Sequence, residues 1–442
     1  RSGDVLQRVA GPLAQLGTFA QGLYAASEMF TEGFMHLYKA GVLKRRVYHD
    51  LTVQTLLNQG KISETISLAT LDAFREARAL TNRLDQHEID WLIRIGAFQP
   101  GIRVQGEQLL TAIGTTLHNN LADDNARQAI AKHCLGSRLS GAALLHAAFF
   151  LGSKDFYRWL HELDDSEREL FQMTGVGQIN ELYNYDLPNG EARDRAQRLR
   201  ARFINSTMKV SLTGAAISDG LANQQVVSGV GGQYNFVAMA HALADSRSII
   251  MLRATRHTAK GVVSNIVWQY PYETIPRHLR DIVITEYGVA DLRGKCDEDC
   301  VKAMLCIADS RFQAKLLKQA QQHNKLDPNW QLPAVYCNNT PAMLAKGLQG
   351  YRREGLFIDF PFGCDFSEQE LQLVDALRWL KSHGATRRAR LMLVARALRS
   401  KSTASEQPLL ELMQLHNTVS FAQWLNKKLL VLALQTTAQK DQ

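Results

Sequence analysis

A chain of 442 residues with 45% hydrophobic and 21% charged side chains has the make-up of a folded, water-soluble protein, with length for roughly two or three cores. Its longest apolar stretch, Gly141–Leu151, contains His146 and is too short to cross a bilayer, so no membrane association is expected. The net charge of +8 suits an anionic ligand, yet it would equally suit nucleic acid and decides neither.

Residues 1–50 mix short apolar runs with glycines, as strand–loop–helix alternation does. From 51 to 150 the pattern turns to long helical periodicity. Asp72–Leu84 and Asn125–Leu135 read as helices, with a turn at Pro100-Gly101. This segment is expected to be a mostly helical insertion that serves packing and oligomer contact. Residues 151–320 alternate short strands (Val226–Val227, Ser248–Leu252, Ile282–Thr285) with helices, which predicts an α/β layer structure. The tract HNKLDPNWQLP at 323–333 reads as a linker, so 321–442 is expected to be a linker and a helical tail. Ser367 and Glu370 form the two ends of a capping box that opens one tail helix. In the basic segment Ala385–Lys401, the spacing of Leu391, Val394 and Leu398 predicts a core-facing stripe under a solvated basic face, and not a nucleic-acid-binding surface.

Six cysteines (Cys134, Cys296, Cys300, Cys306, Cys337, Cys364) form no zinc-like pairs. They point to reduced thiols and a cytoplasmic location. His36, His257 and His278 have no ligand-like spacing with one another, so no metal site is expected.

The chemistry-bearing tract is Ser228–Phe236, SGVGGQYNF. Closely spaced glycines let backbone press against a ligand and present N–H groups to a phosphate or an oxyanion. The tract does not complete G-x-G-x-x-G, and no acidic residue ends a second strand about 20 residues on, which argues against a dinucleotide loop.

In sequence order, SGVGGQYNF and then ITEYGVADLRGK (284–295) resemble the carboxyl-terminal half of the acetyl-CoA hydrolase/CoA-transferase family. Three further segments resemble family blocks: FINSTMKVSLTGAAISDG (203–220), LGSKDFYRWL (151–160) and GLYAASEMFTEG (22–33). The last is similar to the segment that carries the family's nucleophilic glutamate. The resemblance implies an α/β, CoA-transferase-like catalytic domain formed by 1–50 and 151–320.

On that resemblance Glu28 is the nucleophile and Glu32 a solvated neighbour. Glu286 is a supporting acid. Val230, Gly231, Gly232 and Tyr234 supply a CoA-facing backbone with an oxyanion donor, and Arg247 faces a CoA phosphate. Several positions depart from the family pattern: Asn235 and Ser211 stand where Asp is usual, Ile217 where Asn is frequent, and RATRHTAK (253–260) is unusually basic. Ser2-Gly3-Asp4-Val5-Leu6 resembles the end of a CoA-loop junction, so an amino-terminal domain is expected upstream. The implied activity is CoA transfer from a small acyl-CoA such as acetyl-CoA to a small carboxylate through a glutamyl-CoA thioester. Acyl-CoA hydrolysis by the same glutamate and an inactive acyl-CoA-binding scaffold are the alternatives. Coenzyme A enters as substrate, no permanently bound cofactor is implied, and a homodimer is expected.

Overall fold

Residues Ala25 to Phe30, AASEMF, form a strand, β1, that ends on Phe30, a fully buried ring. The computed structural model in which it lies describes residues 21–183, 189–361, 363–384 and 386–438. Ser2–Leu6 falls outside the described residues. The chain divides into two compact units, residues 1–362 and 363–442.

In the first unit, β1 pairs in parallel with β2 (Leu145–Phe150), from Ala25 opposite Leu145 to Phe30 opposite Phe150. A third strand, β3 (Phe171–Met173), runs parallel on the far side of β2. Parallel neighbours require a long crossover. Here the crossover from β1 to β2 contains helices Leu51–Asn58, Leu68–Glu76, Gln86–Arg94 and Asp124–Cys134. It also holds a three-stranded antiparallel sheet built from Arg103–Gln105, Gln108–Leu110 and Thr116–His118, which helical periodicity did not predict. The helix expected over Asp72–Leu84 stops at Glu76, because Arg78 adopts φ +57 and turns the chain. Leu145–Phe150, expected at the end of a helical insertion, is the central strand of this sheet.

Aromatic packing closes the layer. Phe30 stacks on Phe171 at 5.3 Å and meets Phe156 edge-on at 5.1 Å. Phe156 belongs to α1 (Lys154–Glu162), which Ser153 caps through its hydroxyl. Beyond β3 lie two short helices, α2 (Val176–Asn180) and α3 (Gly190–Gln197).

A second sheet lies further along the chain. β4 (Arg202–Ser206), β5 (Arg247–Met251) and β6 (Ile282–Thr285) are parallel, and β7 (Gly288–Asp291) turns back as an antiparallel edge, in the order β7-β6-β5-β4. Ile250, Val283 and Ala290 share a buried cluster with Val237 of α4 (Gln233–Ala242) and with Val301 and Met304 of α5 (Asp297–Cys306). Both sheets with their helices make the first unit an α/β structure. The segment Val226–Val227 is not a strand. Val226 makes only an isolated bridge to Gly220, and both side chains are exposed. Leu326 is buried in the same cluster and Trp330 and Leu332 pack against it, so the tract expected as a linker forms part of this core.

The second unit is helical, with α6 (Glu368–His383), α7 (Arg387–Ala397), Gln407–Leu412 and α8 (Phe421–Ala438). The Ser367–Glu370 capping box forms as expected. Its core holds Leu373, Trp379, Leu393, Leu410 and Leu430. In α7 the inward positions are Leu393 and Ala397, while Leu391 and Leu398 are exposed. The inward stripe lies on a different set of helical positions from the one the apolar spacing suggests.

Candidate active site

Glu28 sits half-buried on β1, two residues before Phe30 anchors the strand in the aromatic layer. Its Oε1 accepts a hydrogen bond of 2.6 Å from Nδ2 of Asn180, at the end of α2. Asn180 is buried, and its Oδ1 has no partner among the described residues.

The glycine tract reaches the same point. A Cβ placed on Gly232 would lie well inside 3.0 Å of both Glu28 Oε1 and Asn180 Nδ2. Backbone therefore presses against the carboxylate where any other residue would collide with it. Gly232 has φ −81, which suits every residue, so what favours glycine there is space: a Cβ would push aside the tips of Glu28 and Asn180. Gly231 differs: its φ of +59 is left-handed, and open space surrounds its Cβ position. One glycine is needed for its size and the other for its backbone conformation.

Gly232 is the N-cap of α4. Its carbonyl accepts the N–H of Phe236 at 2.9 Å, and no side chain caps this end. The first amides of a helix have no intrahelical acceptor, and its N-terminus carries partial positive charge. Donors and positive potential thus stand beside a carboxylate. Gln233 is buried and donates from Nε2 to the Ser206 carbonyl at 3.0 Å, which fixes the start of α4 over the end of β4. Gln233 Oε1 and Asn205 Nδ2 are buried atoms without partners among the described residues. Buried carboxamides with open hydrogen-bonding capacity are rare in closed cores and are expected where a polar ligand docks.

The other expected residues sit at varying distances from this centre. Val230 and Tyr234 flank Gly232 and are exposed. Glu286 lies in the turn between β6 and β7, on the same edge of the sheet as Ser206, where its Oε2 accepts the Ala254 N–H at 2.8 Å. Two strand spacings, about 10 Å, separate β6 from β4. Arg247 begins β5, at the opposite end of the strands. It pairs with Asp281 at 2.7 Å and Asp291 at 2.5 Å, and the structure does not bring it to Glu28. Glu32 is not simply solvated: its Oε1 accepts the Ser153 N–H at 2.5 Å, tying the start of α1 to the residues just after β1.

A polar cluster around the buried His146 backs the strand. The Tyr24 hydroxyl and His146 Nδ1 share a hydrogen bond of 2.7 Å, and His146 Nε2 lies 3.2 Å from His49 Nε2. Burial, then His49 and Arg198, hold the His146 imidazole down at about 3. Burial pushes the Tyr24 phenol up to about 12. His146 is therefore neutral across the physiological range. Among the described residues no group of three His, Cys, Asp or Glu could hold a metal ion, and no helix is long and apolar enough to cross a membrane.

Residues 152–320 match the acetyl-CoA hydrolase/transferase C-terminal domain. Over these residues the chain is similar to that domain of the acetyl-CoA hydrolase/CoA-transferase family. The 4-hydroxybutyrate coenzyme A transferase of Clostridium kluyveri is 35% identical over 119 residues, covering 26% of this chain and 27% of that protein. A probable butyrate:acetyl-CoA coenzyme A-transferase of Syntrophomonas wolfei is 31% identical over 124 residues, covering 27% and 28%. The crystal structure of RipA from Yersinia pestis aligns at 25% identity and a TM-score of 0.34, covering 41% of this chain and 37% of that one. The chain thus spans less than a third of the length of these two curated relatives.

Asn180 was not among the residues expected from sequence. Its only trace there is an asparagine in GQIN, 152 positions from Glu28 and outside any quoted block.

Proposed function

We propose that the protein carrying this chain transfers coenzyme A between an acyl-CoA and a carboxylate, with Glu28 as the nucleophile. One observation supports this above the others: Glu28, Asn180 and the backbone of Gly232 converge on one carboxylate oxygen.

A carboxylate oxygen of Glu28 attacks the thioester carbonyl carbon, and the carbonyl electrons move onto oxygen. The oxyanion collapses and the C–S bond breaks. This leaves CoA thiolate and an acyl-glutamyl anhydride. The thiolate then attacks the glutamyl carbonyl and releases the acyl group as its carboxylate, leaving a glutamyl-CoA thioester. An incoming carboxylate reverses the sequence and departs as the new acyl-CoA. Covalent catalysis divides one acyl transfer into easier steps, and a carboxylate suffices because thiolate is a weakly basic leaving group. Each tetrahedral intermediate needs donors, and the free amides at the start of α4 are suitably placed beside Glu28. The Asn180 amide restrains the carboxylate and leaves its other oxygen for attack.

Acetyl-CoA and a small carboxylate are the substrates we favour, with Val230 and Tyr234 on the CoA-facing rim and Glu286 as a supporting acid. Six free cysteines suit a reducing, cytoplasmic setting.

Intact-protein mass spectrometry of the full-length protein with acetyl-CoA tests the reading. A CoA-sized covalent adduct is expected on the native protein and not on Glu28→Ala. An adduct that persists in Glu28→Ala, or none on the native protein, would overturn it.

A further inference from the structure

The site depends on Asn180, and Asn180 ends a helix of five residues. A helix that short does not hold itself together in water, so its geometry must be imposed from outside. At its start, the Thr174 hydroxyl bonds the Gln178 side chain. At its end the agent is Arg198, which follows α3 directly and is 6% exposed. Its Nη2 donates to the Gln178 carbonyl at 2.7 Å and, at 3.4 Å, to that of Ile179. These are last-turn carbonyls, which lack intrahelical donors and favour a cation. The next residue is Asn180.

The guanidinium is itself anchored. Asp194, 1% exposed, lies 3.6 Å from Arg198 Nη1 and takes two hydrogen bonds from Arg193. Even so, Arg198 Nε and Nη1 make no hydrogen bond among the described residues. A buried cation with unmade bonds costs stability that an apolar side chain of similar length would not. Fold stability is thus a poor reason for an arginine at this position.

We infer that Arg198 is a positioning residue for the Glu28 carboxylate. It clamps the final carbonyls of α2 so that the Asn180 amide meets Glu28 Oε1, and it acts through Asn180 without touching substrate. This inference rests on the reading of Glu28 as nucleophile. A misplacement of about 1 Å at a reacting group costs on the order of 100-fold in rate.

The test uses the full-length protein as Arg198→Met, Arg198→Lys, Asn180→Ala and the Arg198→Met/Asn180→Ala pair. Two quantities are measured: the rate of adduct formation from acetyl-CoA, and hydrogen exchange of the amides from Val176 to Asn180. Arg198→Met is expected to slow adduct formation about 10- to 100-fold at unchanged KM for acyl-CoA. It should speed exchange at 176–180 while leaving the β1 and β2 amides protected. Arg198→Lys should recover part of the rate. On the Asn180→Ala background Arg198→Met should add less than about 2-fold, because both act through one contact. Independent, multiplying losses, or unchanged exchange at 176–180, would overturn the inference. If the native protein gives no adduct, the Glu28 reading fails, and exchange alone then decides whether Arg198 holds α2. Should Arg198→Met fail to fold, Arg198→Lys carries the same comparison, since an ammonium cannot span two carbonyls as a guanidinium does.

Discussion

Gly232 stands so close to Glu28 that a single methyl group on it would overlap the carboxylate oxygen bonded to Asn180. Gly232→Ala must therefore displace Glu28, Asn180 or the start of α4. All three displacements damage the proposed nucleophile. The expected result is a loss of about 100-fold or more in adduct formation, with a cooperative thermal transition retained. Stopped-time mass spectrometry beside calorimetry checks both halves.

Gly231→Ala separates conformation from space. Its Cβ would meet nothing, but its φ of +59 is unfavourable for a side chain. The strain of a left-handed non-glycine residue is about 1–2 kcal/mol. A lowered Tm is expected, with a smaller loss of adduct rate than in Gly232→Ala. Equal rate losses in the two variants would show that the loop's conformation, and not the contact with Glu28, governs the site.

These glycines mark how far the sequence could be read. Glu28 and Gly232 lie in short, ordered motifs: the closely spaced glycines announce close backbone approach, whereas only the resemblance of its segment singles out Glu28. Asn180 and Arg198 carry no such mark. Their roles arise because β1 and α2 meet across 152 positions, and because a five-residue helix has no periodicity to detect. The small antiparallel sheet at residues 103–118 escaped for a similar reason, since its strands are only three residues long. In α7 the hydrophobic spacing was real but pointed to the wrong face. Leu391 is 71% exposed while Leu393 is buried, because α8 and its neighbours enclose the stripe that holds Leu393 and Ala397.

The His146 cluster makes an acid-side prediction. Its folded pKa of about 3 lies below the usual 6.5, so the unfolded chain binds more protons between those values. Stability of the first unit should be full above about pH 6.5 and fall as pH drops toward 3, by an amount on the order of 4 kcal/mol. The groups opposing protonation are His49, Arg198 and Arg193. Denaturant titrations from pH 7 to 4 on native protein and His146→Gln should show a shallower decline in the variant. Tyr24 acts in the opposite direction. Its folded pKa is raised, so the stability linked to it is present below about pH 10 and is lost as pH rises toward 12.

Arg247 offers a contrast between structural and ligand roles. Its guanidinium holds Asp281, whose side chain is fully buried, and Asp281 in turn accepts the Ser248 N–H at 2.6 Å and pairs with Arg293 at 2.6 Å. Removing one cation leaves a buried carboxylate with half its charged partners, a loss of about 2 kcal/mol. Arg247→Met should therefore lower Tm while KM for acyl-CoA stays within about 2-fold of native, because β5 places this residue at the end of the strands away from Gly232. Asp291→Asn, which weakens only the half-exposed partner, should cost less than about 1 kcal/mol. If Arg247→Met raised KM tenfold and left Tm unchanged, the guanidinium would have to leave its carboxylates to meet a CoA phosphate, and the ion-pair assignment would fall.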